Sequence, residues 1–305
     1  MTPDLKVTIA GVEFDNPIMT ASGCCGYGEE LAQAFPLSKL GALVTKTITE
    51  APRLGHPPPR TAEVASGMLN AIGLANVGVD KFIAEKLPFL EKQKTKVIVN
   101  VGGARVKEYV DICARLNDCP RVDMIELNIS CPNVDEGGML FGKDPAMTER
   151  TVAEVKKVFN RPVIAKLTPN VTDIGLMARA AEQGGADALA VINSVVGTSV
   201  DVDTWRPVLT YNVGGLTGPA IKPIALALVD AVYQACRLPI IGIGGISNAR
   251  DVVEFMLVGA QAVQVGTALF IEPDAPVKIV RDLKAYLKEK KLGSVSELVG
   301  KVRKY

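Results

Sequence analysis

Several residues with chemical potential stand at or just past the ends of apolar runs. Ser22 ends the run Pro17–Ser22, Lys46 and Thr47 end Ala42–Thr47, and Asn100 stands one residue short of the end of Lys96–Val101. Asn128 stands one residue short of the end of Met124–Ile129, with Ser130 and Cys131 just past it; Lys166 sits in Pro162–Leu167, and Asn193 with Ser194 closes the run from Ala188. A polar group at the end of an apolar run costs free energy unless it meets a ligand or another polar group. A desolvated lysine can form a Schiff base. A lysine can also stabilise negative charge near the pyrimidine end of a flavin ring. Asparagine both donates and accepts, so Asn100, Asn128 and Asn193 converging on one spot suit a ligand rich in amide groups, such as a pyrimidine. The plain alternative is a hydrogen-bonded polar plug with no ligand.

Cys131 lies in Asn128-Ile129-Ser130-Cys131-Pro132-Asn133, where Pro132 holds the cysteine extended. A thiol there can act as a general base or nucleophile, or be a buried inert side chain. Two glycine pairs add a phosphate signal. Gly244-Gly245 leads into a helix-like stretch, and Gly266-Thr267 ends the last apolar run. Glycine lets backbone N–H groups approach a phosphate, and helix N-termini favour the anion.

These residues need elements to position them. Eight apolar, β-branched runs recur: Pro17–Ser22, Ala42–Thr47, Lys96–Val101, Met124–Ile129, Pro162–Leu167, Ala188–Asn193, Pro239–Ile243 and Ala262–Gly266. They recur about every 35 residues, close to the ~30 that one βα unit needs. Helical spacing fills the gaps at Val79–Leu90, Val106–Leu116, Met147–Phe159, Ile174–Gln183, Ile221–Ala235, Ala249–Val258 and Pro276–Lys288. Asp173 and Asn248 read as N-caps, and Gly184 and Gly259 as stops. The pattern predicts an α/β fold, a single (β/α)8 TIM barrel over 1–305, with its site at the C-terminal ends of the strands. An open doubly wound sheet would carry a G-x-G-x-x-G turn after the first strand; Ala21-Ser22-Gly23-Cys24-Cys25-Gly26 does not fit it. Outside the minimal barrel, Val7–Phe14 reads as an N-terminal hairpin centred on Ala10-Gly11. Pro132–Asp144 and Val195–Pro219 read as long loops after strands four and six, where lids are usual.

Composition excludes several classes. Hydrophobic residues make up 48% of the 305 residues and charged residues 22%, enough for a large core. Lys+Arg is 34 against Asp+Glu 33, so no basic excess points to nucleic acid. No apolar stretch reaches the ~18 residues of a membrane helix, and the N-terminus lacks a signal-like apolar region. The six cysteines form no C-x-x-C pair, so neither a metal site nor an iron–sulfur site on this chain is expected, and a reducing, cytoplasmic setting fits. His56, the only histidine, lies in Leu54-Gly55-His56-Pro57-Pro58-Pro59-Arg60 and reads as a surface loop residue.

The chain resembles the family 1 dihydroorotate dehydrogenases of pyrimidine synthesis, most closely the catalytic subunit of the NAD-linked type B form. The resemblance covers nearly the whole chain. It rests on Ala21-Ser22-Gly23, Val44-Thr45-Lys46-Thr47, Gly67 to Leu74, Asn128 to Asn133, Ala165-Lys166-Leu167, Ile192-Asn193-Ser194, Gly242 to Gly245 and Val265-Gly266-Thr267. It implies FMN at the barrel mouth, held by Ser22, Lys46, Thr47, Asn100, Asn128, Lys166, Ile192, Gly218, Gly244, Gly245, Gly266 and Thr267. It implies dihydroorotate held by Lys46, Asn70, Ala71, Ile72, Gly73, Leu74, Asn128, Asn133, Asn193 and Ser194. Cys131 would take the C5 proton while hydride leaves C6 for the flavin. The type B resemblance, seen in Gly67-Met68-Leu69-Asn70-Ala71-Ile72, implies a partner subunit carrying FAD and a [2Fe-2S] cluster, with catalytic subunits paired as a homodimer inside a heterotetramer. The membrane-bound family 2 enzymes use serine as the base, and Cys131 argues against them. Three departures mark this chain: the vicinal Cys24-Cys25, His56 where relatives often have Asn, and Leu74-Ala75-Asn76-Val77 where they often have Gln-Asn-Pro. The competing readings are a stand-alone, fumarate-dependent type A enzyme, a Schiff-base lyase using Lys46 or Lys166, and a non-catalytic binding subunit.

Overall fold

The computed structural model describes residues 2–129 and 143–305. Eight strands close into a barrel: Ile18–Thr20, Ala42–Val44, Lys96–Val101, Met124–Leu127, Val163–Leu167, Ala188–Val191, Ile240–Ile243 and Ala262–Val265. Every neighbouring pair is parallel, and the order around the barrel is the order in sequence. Nearly every strand residue is buried, as expected when helices cover the outside and side chains fill the inside.

All eight expected runs hold barrel strands, but most strands are shorter than the runs. The second stops at Val44 and not Thr47, the fourth at Leu127 and not Ile129, and the sixth at Val191 and not Asn193. Past these ends the backbone N–H groups of Asn128 and Asn193 still donate to the Val101 and Leu167 carbonyls of the neighbouring strands. The helices follow the expected pattern with two instructive differences. Val79–Leu90 is not one α-helix. It divides into Gly78–Lys81, a π-helical turn at Phe82–Lys86 and Leu87–Glu91. Pro88 has no N–H to donate and cannot sustain the α ladder there. The helix expected at Met147 begins at Pro145, because Asp144 caps it by accepting from Ala146 N and Met147 N. Sequence spacing also missed the short helices Leu31–Ala34 and Ala268–Ile271.

The N-terminal hairpin is as expected: Val7–Ile9 pairs antiparallel with Val12–Phe14. Its turn residues Ala10 and Gly11 both have positive φ, at 50° and 80°, the geometry of a two-residue hairpin turn. The insertion after strand six carries more order than a loop. Val195–Gly197 and Gly214–Thr217 join a second hairpin, Thr61–Val64 with Gly67–Asn70, in a four-stranded antiparallel sheet. Most of the expected Pro132–Asp144 loop lies outside the described residues. Among those described, no helix is long and apolar enough to cross a membrane.

Arg161, just before strand five, ties the opposite face of the barrel. Its guanidinium donates to the carbonyls of Leu116, Asn117, Cys119 and Val122 at 2.6–3.0 Å, and lies 4.7 Å from the Phe159 ring centroid. These bonds satisfy the end of the helix Val106–Asn117 and the turn that follows. Arg161→Ala is expected to cost about 2 kcal/mol or more, the scale of lost hydrogen bonds to a charged donor. Urea unfolding measures that loss, and ligand binding at the far face should be unchanged in the folded fraction.

Candidate active site

One cleft opens at the C-terminal ends of the barrel strands. The residues singled out from the sequence supply much of its wall: Ser22, Asn70, Ile72, Lys166, Ile192, Asn193, Ser194, Gly218, Gly244, Gly245, Gly266 and Thr267. Lys46, Thr47, Asn100, Asn128, Ala71, Gly73 and Leu74 do not line it directly. Cys131 and Asn133 lie outside the described residues.

Thr47 and Asn128 connect to the wall through side chains. Asn193 Nδ2 donates to Asn128 Oδ1 at 3.2 Å. Longer contacts of 3.5 Å run from Asn128 Nδ2 to Thr47 Oγ1 and from Thr47 to Ser22 Oγ. Asn193 Oδ1 accepts from the backbone of Ser194. Asn128 and Asn193 therefore form part of one network at the mouth, whereas Asn100 turns its amide to Glu126. Asn70 contributes differently: its Nδ2 donates to the Gly215 carbonyl at 3.0 Å, joining the two hairpins of the antiparallel sheet. Lys46 is half-buried, and burial together with the charge of Arg60 holds its pKa below the ordinary lysine value.

The glycines allow close backbone approach. Gly218, Gly244 and Gly245 have φ of 91°, 134° and 72°. A Cβ at Gly245 would lie 2.8 Å from the Gly218 carbonyl oxygen and 3.0 Å from Lys222 N, and one at Gly244 2.7 Å from Ala225 Cβ. The helix after strand seven, Ala249–Leu257, starts as expected at Asn248, but its N-terminus is already satisfied. Asn248 Oδ1 accepts from Arg250 N and Asp251 N, while Asp251 Oδ2 accepts from Ser247 N and Asn248 N. Lys222 holds the other carboxylate oxygen at 2.7 Å. The capping box thus braces the turn, and the Gly244-Gly245 and Gly266-Thr267 segments remain as the backbone for an anion.

A buried charge escaped the reading of apolar runs. Glu126, in the fourth strand, has no exposure. It accepts from Asn100 Nδ2 at 2.6 Å and Gln264 Nε2 at 2.5 Å, and Lys166 Nζ stands 3.5 Å away. The signal was present in sequence: a carboxylate and an amide inside otherwise apolar strands. Cys24 and Met68 also line the cleft. Burial pushes the Cys24 thiol up to about 11, against the opposing charge of Lys166. Cys25 turns away toward the Val44 carbonyl, 3.7 Å off.

His56 sits in its expected loop but is half-buried and structural. Its Nδ1 lies 3.0 Å from the Ala71 carbonyl, its N donates to the Ile72 carbonyl, and its ring stacks on Tyr211 at 4.1 Å. It fixes the Asn70–Leu74 segment where Gly73 and Leu74 both take positive φ, 69° and 54°. Asn76 braces the same segment from the other side, bonding Thr49, Leu74 and Gly78.

A family model described as dihydroorotate dehydrogenase matches residues 4–287. The chain belongs to the dihydroorotate dehydrogenase family. A protein of Citrifermentans bemidjiense is 51% identical over 298 residues, covering 98% of each chain, and one of Geobacter sp. (strain M21) is similar to the same extent. A protein of Geobacillus kaustophilus is 49% identical over 97% of this chain and 95% of its own. All three are named dihydroorotate dehydrogenase B (NAD(+)), catalytic subunit. Family membership gives the cleft its context: the polar mouth belongs to an oxidoreductase.

Gly245→Ala is expected to destabilise the fold by roughly 1–2 kcal/mol or more, the cost of a positive φ to an alanine, with the clash against Gly218 and Lys222 adding to it. Urea unfolding measures the loss.

Proposed function

We propose that this chain oxidises (S)-dihydroorotate to orotate in de novo pyrimidine synthesis, using FMN, and passes the electrons to a partner subunit that carries FAD and a [2Fe-2S] cluster and reduces NAD. The observation that carries the reading is the barrel-mouth cleft, where Lys166, Asn70, Asn193 and the glycine turns meet in a chain half identical to catalytic subunits of that name over nearly its full length.

The residues present fit FMN. The glycine turns leave no room for a Cβ, as a phosphate cradle requires. The buried Asn100 Oδ1 has no hydrogen-bond partner among the described residues, so an acceptor is left for a ligand donor. FMN, when bound, supplies the two-electron acceptor that no side chain offers. Ser22, Lys46, Thr47, Asn100, Asn128, Lys166, Ile192, Gly218, Gly244, Gly245, Gly266 and Thr267 would hold it. Lys166 brings positive charge to the cleft, suited to the pyrimidine end of the ring.

Substrate would be oriented by Lys46, Asn70, Ala71, Ile72, Gly73, Leu74, Asn128, Asn133, Asn193 and Ser194. The amides match the ring amides of dihydroorotate, and the antiparallel sheet over the mouth restricts water. Cys131 is the proposed base: its Sγ takes the C5 proton while a hydrogen leaves C6 with two electrons. Free thiols titrate near 8.5, so modest stabilisation of the thiolate makes a usable base at neutral pH. Cys24, at about 11, is a neutral thiol and does not compete for that role.

The relatives' name favours the NAD-linked reading over the fumarate-linked one. Family membership weighs against the lyase. We place the chain in a homodimer of catalytic subunits within a heterotetramer. A cytoplasmic setting fits five described cysteines that are all free thiols.

Two measurements test the reading. The purified chain should show a flavin spectrum that bleaches on adding dihydroorotate without oxygen; a colourless chain that takes up no FMN overturns the proposal. Cys131→Ala should retain flavin but be reduced by dihydroorotate roughly 10²–10⁴-fold more slowly, the range of a lost general base. Rapid reduction of that variant removes Cys131 from the role.

A further inference from the structure

Glu126 touches three polar side chains of the barrel interior at once. It sits in strand four at zero exposure, beside Asn100 of strand three in register. Its Oε1 takes Asn100 Nδ2 at 2.6 Å and faces Lys166 Nζ of strand five at 3.5 Å. Its Oε2 takes Gln264 Nε2 of strand eight, across the barrel, at 2.5 Å.

An ionised carboxylate only accepts hydrogen bonds. Asn100 and Gln264 must therefore turn their NH2 groups toward Glu126, and their carbonyl oxygens are what remains. Asn100 Oδ1 and Gln264 Oε1 are the two buried side-chain atoms without a hydrogen-bond partner among the described residues. Both orphan acceptors are thus consequences of the one carboxylate. Its negative charge also stands against the ammonium of Lys166, which lines the cleft.

We infer that Glu126 is a positioning residue for the flavin site: it fixes which way the Asn100 and Gln264 amides face and offsets the charge of Lys166, and so sets how readily the bound flavin accepts electrons. The inference rests on the FMN reading of the cleft. Two-electron reduction adds negative charge to the ring, so removing the Glu126 charge while leaving Lys166 should favour the reduced form.

The test uses the flavin-loaded protein and reads the flavin midpoint potential by spectroscopic titration, with FMN affinity and thermal unfolding alongside. In Glu126→Gln the potential should rise, with the oxidised-to-reduced equilibrium changing tenfold or more, about 30 mV for a two-electron couple. Glu126→Asp keeps the charge but draws it back by one methylene from Lys166, and should give a smaller shift of the same sign. If the potential of Glu126→Gln equals that of the unmodified protein and only unfolding changes, Glu126 is a structural plug and the inference fails. Should Glu126→Gln not fold, Glu126→Asp decides alone: a small rise supports the role and an unchanged potential overturns it. If the unmodified protein takes up no FMN, the cofactor reading fails first, and that outcome is seen before any variant is made.

Discussion

A carboxylate without solvent inside a β-barrel is the constraint on which the site depends. Desolvating Glu126 costs several kcal/mol, and only partners within the barrel can offset it. Those partners come from strands three, five and eight, so the carboxylate joins neighbouring strands and spans the barrel to the opposite side. Side chains alternate across a strand with a period of two. A one-residue slip of strand four would turn Glu126 outward among the helices and part it from Asn100, Lys166 and Gln264. The register of the barrel and the polarity of its mouth are thus set by the same contacts.

The upper layer answers a different requirement. The FMN proposed for the cleft would need backbone close at hand and walls around the ring. Gly218, Gly244 and Gly245 meet the first need, because each takes a positive φ in a space that a Cβ would fill. Asp251 steadies the last of these turns through Ser247, Asn248 and Lys222. The antiparallel sheet bears on the second, lining the cleft through Thr61, Met68, Asn70 and Thr217. It is assembled from two insertions 145 residues apart at the Asn70–Gly215 contact, with His56 stacked on Tyr211 as a further tie between them.

The alternation of apolar runs and helical stretches was enough to place all eight strands, because a parallel strand covered on both faces must be apolar along its length. Residues at the strand ends were legible for the same reason: Lys166 and Asn193 interrupt what should be hydrophobic. Long-range pairing was not legible. Nothing local in Thr61–Val64 or Gly67–Asn70 announces Gly214–Thr217 as their partner, and a loop reading of the later segment missed half a sheet. Glu126 and Gln264 were passed over because composition averages a single charge away, whereas burial does not. Asn248 was found, yet its N-terminus is consumed by Asp251, a detail that only the folded geometry exposes.

The neighbouring thiols Cys24 and Cys25 show what the wall of the cleft does to an ionisable group. Cys24 stands in the wall beside Lys166, and even that cation leaves it at about 11, because burial disfavours a thiolate more than one neighbouring charge favours it. Cys25, turned further in, is pushed to about 12. The wall is therefore a poor place for a thiol that must accept a proton near neutral pH, and it serves instead to hold fixed charges and amides in register.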